Sequence, residues 1–155
     1  MRIDGSGVIV AGGGSGLGHV TARLLRDAGA SVGVLDLKRG AWDGAFAEAD
    51  VADEDSVERA FDTLAPATGP LRILLNTTGT GHSGLSAGPH RKVTAAGFRR
   101  VLEVNTLGSF ILARAAAERM MAEAPDDQRE RGIIVNTSSI VAMEGQIGTA
   151  AYAAA

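Results

Sequence analysis

The stretch that decides the fold reads AGGGSGLGHV, residues 11–20, and it continues the apolar run VIVA at 8–11. Its glycines Gly12, Gly16 and Gly18 have the spacing G-x-x-x-G-x-G, at a point where a strand would pass into a helix. Free backbone N–H groups and the helix dipole favour negative charge at a helix N-terminus, and side chains there would hold a phosphate away. The turn therefore predicts a phosphate-binding site, although a glycine-rich turn without a ligand has the same composition.

Four short apolar runs indicate a parallel sheet. They are rich in β-branched residues, they do not alternate with polar residues, and each is followed by Gly, Asp or Asn, as expected of strands that are buried on both faces. The runs are VIVA at 8–11, VGVL at 32–35, ILL at 73–75 and IIV at 133–135. The segment AFAEADV at 45–51 is a weaker candidate for one more short strand.

Helical patterns lie between these runs, over 17–28, 53–64 and about 94–123. Strands that alternate with helices predict an α/β fold with a doubly wound parallel sheet, here as one domain over residues 1–155. Two polar segments, 79–92 and 124–132, are predicted loops. In the first helix we expect a buried apolar face, formed by Leu17, Val20, Leu24, Leu25 and Ala28. In the second helix the corresponding stripe is Val57, Phe61 and Leu64.

Composition excludes several classes of site and partner. The 155 residues contain no cysteine and carry a net charge of −3, so thiolate chemistry is absent and no broad basic surface favours nucleic acid. No apolar run approaches the roughly 18 residues that span a bilayer, and we expect a cytosolic protein without a membrane partner. The acids and the histidines His19, His82 and His90 show neither metal-ligand spacing nor a catalytic-triad setting, so we expect no metal.

Carboxylates at two strand ends extend the predicted phosphate site to a dinucleotide. Asp36 ends the second strand, 18 residues after Gly18, where a carboxylate accepts hydrogen bonds from the adenosine ribose. It would repel a 2′-phosphate, so we expect NAD as the cofactor and interpret Lys38 and Arg39 as solvated loop charges. Asp50-Val51 suits an adenine amino group and ring face, although a loop that caps the next helix from Asp53 explains it too.

Further polar residues lie where a reacting group would be. Asn76 and Gly79 follow a strand at the end of the sheet where ligands bind, so we expect them beside the ribose and nicotinamide. Asn105 lies on an apolar helix stripe, either as a satisfied core amide or as the holder of an active-site water. Ser139 follows the last strand, and Tyr152 comes 13 residues later.

With these residues in place, the chain resembles the short-chain dehydrogenase/reductase family, with its Rossmann fold, over its whole length. The family's cofactor motif matches Gly12, Gly16 and Gly18, and we count Ser15 and Leu17 between them in the cofactor-binding set. Its acidic ribose contact matches Asp36, and its adenine contact matches Asp50-Val51. The N-N-A-G motif appears as Asn76-Thr77-Thr78-Gly79, a departure at both middle positions. The stretch from Arg131 to Tyr152 is similar in particular to the branch that contains type 10 17β-hydroxysteroid dehydrogenase.

The resemblance implies hydride transfer between a secondary alcohol or ketone and NAD, with Tyr152 as base, Ser139 polarising the substrate oxygen and Asn105 holding a relay water. It suggests a 3-hydroxyacyl-CoA or hydroxysteroid substrate and a homotetramer. The family's lysine, four residues after the tyrosine, would be residue 156, so we expect a fold truncated on its C-terminal side, with 133–135 as an uncovered edge and about a hundred residues to follow. The alternative is a nucleotide-binding module without catalysis.

Overall fold

The computed structural model describes residues 2–81, 83–89 and 91–155; His82 and His90 lie outside the described residues. Five parallel strands form one sheet: β1 Gly7–Ala11, β2 Ser31–Asp36, β3 Ala45–Glu48, β4 Leu71–Asn76 and β5 Ile133–Asn136. Their spatial order is β3-β2-β1-β4-β5. The four strong strand predictions are confirmed, and the weaker one at 45–51 is confirmed over its first four residues.

Helices flank the sheet. The described helices are α1 Gly16–Asp27, α2 Glu54–Thr68, α3 Ala95–Leu102, α4 Gly108–Ala122, α5 Val141–Glu144 and α6 Ala150–Ala153. A π-helical segment, Glu103–Leu107, joins α3 to α4 without a break, so the predicted long helix is confirmed as one helical run with a local widening. That widening was not predicted, because apolar spacing does not report a single extra residue in one turn.

The start of α2 shows how local chemistry fixes a helix boundary. The Asp53 side chain accepts a hydrogen bond from the backbone N–H of Ser56 at 3.0 Å, and Glu54 and Asp55 place negative charge at the positive end of the helix dipole. The predicted stripe is confirmed, since Val57, Phe61 and Leu64 are each at most 1% exposed.

Helices cover both faces of the central part of the sheet, which confirms the doubly wound arrangement. One cluster of buried side chains packs the sheet against α2 and α4, and includes Ile9, Leu35, Phe61, Leu74 and Leu112. The other packs the sheet against α1, and includes Val8, Val10, Ala22, Val34 and Trp42. The strand β1 contributes to both clusters and lies in the centre of the sheet. Its C-terminal end, where the glycine turn begins, is therefore fixed by packing on both faces.

The predicted buried face of α1 is wrong for most of its residues, although Leu25 is partly buried and packs against the cluster on the α1 side of the sheet. Leu17, Val20 and Leu24 are 75%, 56% and 63% exposed, whereas Gly18 and Ala22 are buried. The helix approaches the sheet through these small residues, so the side chains that lie beside them on the helix surface point away from the sheet. Hydrophobic spacing identified the helix correctly but not the face that packs.

Two features of the sheet periphery depart from a regular βαβ pattern. Residues 37–44, all of them described, connect β2 to β3 without a helix. At the other side, β5 is an edge strand of the described sheet, with Ile133 and Val135 48% and 40% exposed. The predicted uncovered edge is thus present in this chain.

Candidate functional site

The glycine turn lies between the end of β1 and the start of α1. Gly12 and Gly16 have φ of +79° and +51°, in the left-handed region that favours glycine. A Cβ added at Gly18 would overlap the carbonyl oxygen of Gly12 and the hydroxyl of Thr77. The motif glycines are therefore required by the backbone path and by the close packing of α1 on the turn.

The N-terminus of α1 is open to the cleft side. Ser15 is the N-cap residue, is exposed, and makes no capping hydrogen bond with its side chain. No atom beyond the chain neighbours lies within 4 Å of a Cβ added at Gly16. Because the first N–H groups of a helix lack partners within the helix, this geometry presents donors and the positive helix end at an accessible position.

Asp36 meets this turn at the end of β2. Its Oδ2 accepts a hydrogen bond from the backbone N–H of Gly14 at 3.0 Å, and the residue is partly exposed in the cleft. The contact fixes the carboxylate beside the turn and orients it at the predicted ribose position.

Asp50 and Val51, which follow β3, form another part of the wall of the same cleft. Asp50 Oδ1 accepts from the backbone N–H of Ala52 at 3.0 Å, and Oδ2 forms an ion pair with the Arg100 guanidinium at 3.0 Å. Val51 is buried, and a Cβ added at Gly108 would lie 2.8 Å from its side chain. The close approach of α4 thus holds Val51 in place at the cleft.

These elements enclose one cleft of about 310 Å³. It is lined by Gly12, Ser15, Asp36, Leu37, Ala49, Asp50, Val51, Thr77, Thr78, Gly79, Thr80, Arg100 and Val104. Six of the predicted cofactor residues are in this set, and Gly16, Leu17, Gly18 and Asn76 are not. Gly16 and Gly18 shape the turn, Leu17 is exposed on α1, and Asn76 lies beneath the lining.

Asn76 is the centre of a buried polar network. It is 2% exposed, and its Nδ2 donates to Ser109 Oγ at 2.9 Å and to Asn136 Oδ1 at 3.0 Å. Its Oδ1 accepts from the backbone and the hydroxyl of Thr78, at 3.0 and 2.6 Å. The amide therefore joins β4, β5 and α4 under the cleft, a supporting position rather than an exposed one; its predicted place beside the cofactor ribose stays a prediction.

Asn105 lies in the π-helical segment, and its side chain is hydrogen-bonded to the backbone of Thr80, in the loop after β4. Its Oδ1 accepts from the backbone N–H of Thr80 at 2.8 Å, and its Nδ2 donates to the carbonyl of Thr80 at 3.0 Å. The side chain is thereby satisfied, as the core-amide interpretation requires, and it positions Thr80 in the cleft wall. Its predicted role with a relay water stays a prediction.

The other two catalytic candidates lie beyond the cleft lining. Ser139 precedes α5, and its Oγ accepts from the backbone N–H of Val141 at 3.3 Å. Tyr152 is half-buried in α6, whose Ala151 is fully buried and which packs against both α3 and α5. The hydroxyl of Thr106, next to Asn105, donates to the Ala155 carbonyl at 3.4 Å. The elements that carry Asn105, Ser139 and Tyr152 are thus neighbours.

Seven of the lining residues were not in the predicted cofactor set, among them Arg100 and Thr77. Arg100 lines the cleft and pairs with Asp50 from α3; its spacing of four residues from Val104 was the available signal, since both lie on one helix face. Thr77, noted as a departure from N-N-A-G, donates its hydroxyl to the Ala11 carbonyl at 2.8 Å. It fills the space between two motif glycines, Gly12 and Gly18.

The described residues contain neither a cluster of metal ligands nor a helix that could span a membrane. Among the described residues, no group of three or more His, Cys, Asp or Glu is placed to hold a metal ion. In the same part of the chain, no helix combines the length and the apolar character needed to cross a membrane. The cytosolic location stays a prediction.

The strand order and the glycine turn define an α/β protein of the Rossmann type. A family model described as short chain dehydrogenase matches residues 6–155. The chain is 36% identical to a 3-hydroxyacyl-CoA dehydrogenase type-2 of Drosophila melanogaster, over 94% of this chain and 62% of the relative. It is 34% identical to the Homo sapiens protein of that name, over 98% and 62%. It is also 34% identical to a cis-4-hydroxycyclohexanecarboxylate dehydrogenase of Sinomonas cyclohexanicum, over 95% and 60%.

The chain therefore belongs to the short-chain dehydrogenase family, as its motifs predicted. It spans about three fifths of the length of these curated relatives.

Proposed function

We propose that the protein is an NAD-dependent oxidoreductase that interconverts a secondary alcohol and a ketone. The observation that carries the proposal is that the open N-terminus of α1 and the Asp36 carboxylate meet at one cleft, joined by the 3.0 Å hydrogen bond from Gly14. An anion-binding helix end beside a carboxylate suits a ligand with phosphates next to a ribose diol.

The residues present fit the two halves of a dinucleotide. Ser15 and Gly16 would offer backbone donors to a pyrophosphate, and Gly16 leaves its approach clear of a side chain, while Gly12 and Gly18 allow the tight packing of the turn. Asp36 would accept from the ribose, while Asp50 and Val51 would face an adenine, with Arg100 holding the Asp50 carboxylate. When bound, NAD supplies the acceptor for the hydride that leaves the carbinol carbon.

We assign the proton chemistry to the residues around α6. Tyr152 would take the hydroxyl proton of the alcohol, and Ser139 would donate a hydrogen bond to the substrate oxygen. The packing of α6 against α3 and α5 supports this assignment, because it brings their elements together. Asn105 supports it indirectly, by fixing Thr80 in the cleft wall.

For the substrate we propose a compound with a secondary hydroxyl group, such as a 3-hydroxyacyl-CoA thioester or a hydroxysteroid. The names of the relatives support the hydroxyl class: two are 3-hydroxyacyl-CoA dehydrogenases and one is a hydroxycyclohexanecarboxylate dehydrogenase.

We further propose that the protein is a homo-oligomer, a tetramer, that associates through the long helical run. Leu107 and Phe110 are 45% and 57% exposed there, so the run carries apolar surface that a second copy would cover. Sedimentation of the intact protein tests the proposal, and a monomer would contradict it.

The activity is tested by following NADH formation by the intact protein with a panel of secondary alcohols. Exchange of Tyr152 for Phe should lower kcat by about 10²-fold or more, the usual contribution of a positioned acid–base group, and leave NADH binding unchanged. Turnover that survives the Tyr152→Phe change would remove the tyrosine from the mechanism. NADH binding by the unaltered protein without turnover of any alcohol would favour the nucleotide-binding module.

A further inference from the structure

One hydrogen bond joins the loop after β4 to the segment that carries Tyr152. The backbone N–H of Gly84 donates to the carbonyl oxygen of Gly148 at 2.9 Å. Gly148 immediately precedes Thr149, the N-cap residue of α6. Both glycines are only partly buried, so the bond lies at the surface of the chain rather than in its hydrophobic core.

The loop holds the Gly84 donor in a fixed position. The N–H of Leu85 donates to the carbonyl of Arg91 at 2.9 Å, and the N–H of Val93 donates to the carbonyl of Leu85 at 3.0 Å. A Cβ added at Gly84 would lie 2.7 Å from the backbone nitrogen of Val93, so this glycine rests directly on the opposite arm of the loop. That arm continues into Thr94, whose side chain caps the N-terminus of α3, and the donor is thereby tied to a helix.

The acceptor side needs such support, because α6 is too short to be stable by itself. A helix of one turn gains little from its own hydrogen bonds, so its position depends on contacts with other segments. At its start α6 has the bond to Gly148, and in its middle the fully buried side chain of Ala151. After its end, the hydroxyl of Thr106 donates to the Ala155 carbonyl at 3.4 Å. The bond to Gly148 therefore fixes where α6 begins.

The position of Gly148 is transmitted to Tyr152 by the helix between them. The tyrosine follows Gly148 by four residues, about one helical turn. A catalytic base must lie within hydrogen-bond reach of the proton that it takes, and a misplacement of about 1 Å can lower a rate about 10²-fold. A bond between two surface segments contributes little to the packing of the core, but it can decide where the tyrosine hydroxyl lies.

We propose that Gly84 is a positioning residue for Tyr152 and acts through its hydrogen bond to the Gly148 carbonyl. The inference rests on the proposed function, in which Tyr152 takes the hydroxyl proton of the alcohol. It adds that the loop after β4, which lines the cleft with Gly79 and Thr80, also aligns the base. One stretch of backbone thus connects the cleft to the start of α6.

The test is Gly84→Ala, with Gly81→Ala as matched control, in the intact protein. Both glycines lie in the same loop and neither has a positive φ, but a Cβ at Gly81 has no described neighbour within 4 Å. A Cβ at Gly84 overlaps the backbone of Lys92 and Val93, so this variant must move from that arm and displace its N–H from the Gly148 carbonyl.

We expect Gly84→Ala to lower kcat for a secondary alcohol about tenfold or more. The NADH dissociation constant should stay within about twofold of that of the unaltered protein. Gly81→Ala should change neither, although it adjoins Thr80 of the cleft wall.

The solvent deuterium isotope effect on kcat separates positioning from general damage. A misplaced base slows the proton transfer, so this step limits the rate more and the isotope effect of Gly84→Ala should rise. A protein that is merely inactive in part would have a lower kcat with the isotope effect of the unaltered protein.

The inference fails if folded Gly84→Ala has the kcat of Gly81→Ala, or if its kcat falls while the isotope effect stays the same. Should Gly84→Ala not fold by circular dichroism, Gly148→Ala takes its place and Gly145→Ala becomes the control, because their φ values of +83° and +70° strain an alanine alike. Equal kcat in those two proteins contradicts the inference. Unaltered protein that turns over no secondary alcohol would refute the proposed function itself, which is a different outcome.

Discussion

At the scale of single residues, Asp36 carries the most functional information. Its place 18 residues after Gly18 predicted a carboxylate at the cleft, and the structure puts it there. Its partner, the N–H of Gly14, was not predictable, because a contact between a side chain and a distant backbone group leaves no periodic signal. Arg100 was missed for another reason: although its spacing from Val104 placed both on one helix face, a lone basic residue on a helix is usually a solvated charge.

Exchange of Asp36 for Ala should weaken NADH binding about 10- to 100-fold, because hydrogen bonds to a charged group are worth about 1.5–3 kcal/mol. NADPH binding should fall less, since the change also removes repulsion of the 2′-phosphate. Titration calorimetry with both nucleotides measures the two affinities. Glu48→Ala is the matched control, because Glu48 pairs with Asp36 in register on β3 but does not line the cleft. Equal losses of NADH and NADPH affinity would contradict the ribose assignment.

At the scale of elements, sequence reasoning succeeded where packing follows a repeating pattern. The strands were found because both of their faces are buried, and α2 because an acidic cap precedes a regular stripe. It failed for most of α1, where Gly18 and Ala22 are buried while Leu17, Val20 and Leu24 are exposed. The connection of β2 to β3 by residues 37–44 has no helix, as the absence of a helical pattern there implied, but the burial of Trp42 in it was not predicted.

An ion pair between Arg26 of α1 and Asp43, at 2.5 Å, joins α1 to the connection between β2 and β3, residues 37–44, and should respond to acid. The hydrogen bond from Arg26, with smaller attraction from Arg26 and Arg23, lowers the pKa of Asp43 below its ordinary value. A carboxyl whose pKa is lowered in the folded state contributes stability above its unfolded pKa, and this contribution disappears as the pH falls through the folded pKa. The contribution of this exposed ion pair to the attachment of residues 37–44 to α1, which is small, should therefore be lost only in acid, below about pH 4.

Titration of the Asp43 carboxyl by NMR checks this expectation. Arg26→Leu should return the Asp43 pKa toward its ordinary value, because it removes the hydrogen bond and most of the attraction. Arg23→Leu should give a smaller rise, since Arg23 contributes only charge attraction, the smallest cause of the shift. An Asp43 midpoint that does not move in the Arg26→Leu protein would mean that the ion pair does not form in solution.

At the scale of the whole molecule, the order β3-β2-β1-β4-β5 brings the ends of β1, β2 and β4 to one cleft. The sequence allowed this prediction, because a strand-to-helix glycine turn and acidic strand ends require parallel neighbours. The packing of α6 against α3 and α5 could not be predicted from the spacing of apolar residues, because a helix of four residues is too short to show a period. Only the family resemblance placed Tyr152 there.

The 155-residue chain exposes large apolar side chains on α1, β5 and the segment around α5. Examples are Leu17, Leu24, Ile133, Met143 and Ile147, which are between 48% and 89% exposed. We expect the isolated chain to self-associate, because exposed large apolar side chains and an open sheet edge favour contact between copies.

Analytical ultracentrifugation across a range of protein concentrations measures this association. The double variant Leu17→Glu and Leu24→Glu should shift the distribution toward monomer without changing the far-ultraviolet circular dichroism, since both side chains are outside the core. A single monomeric species of the unaltered chain at every concentration would be inconsistent with the exposed surface described.

The central claim, that the glycine turn and Asp36 together bind a nicotinamide dinucleotide, is tested most directly by titrating the intact protein with NADH in a calorimeter. We expect one site per chain with a dissociation constant in the micromolar range and with weaker binding of NADPH. The absence of binding heat and of competition with either nucleotide would contradict the claim.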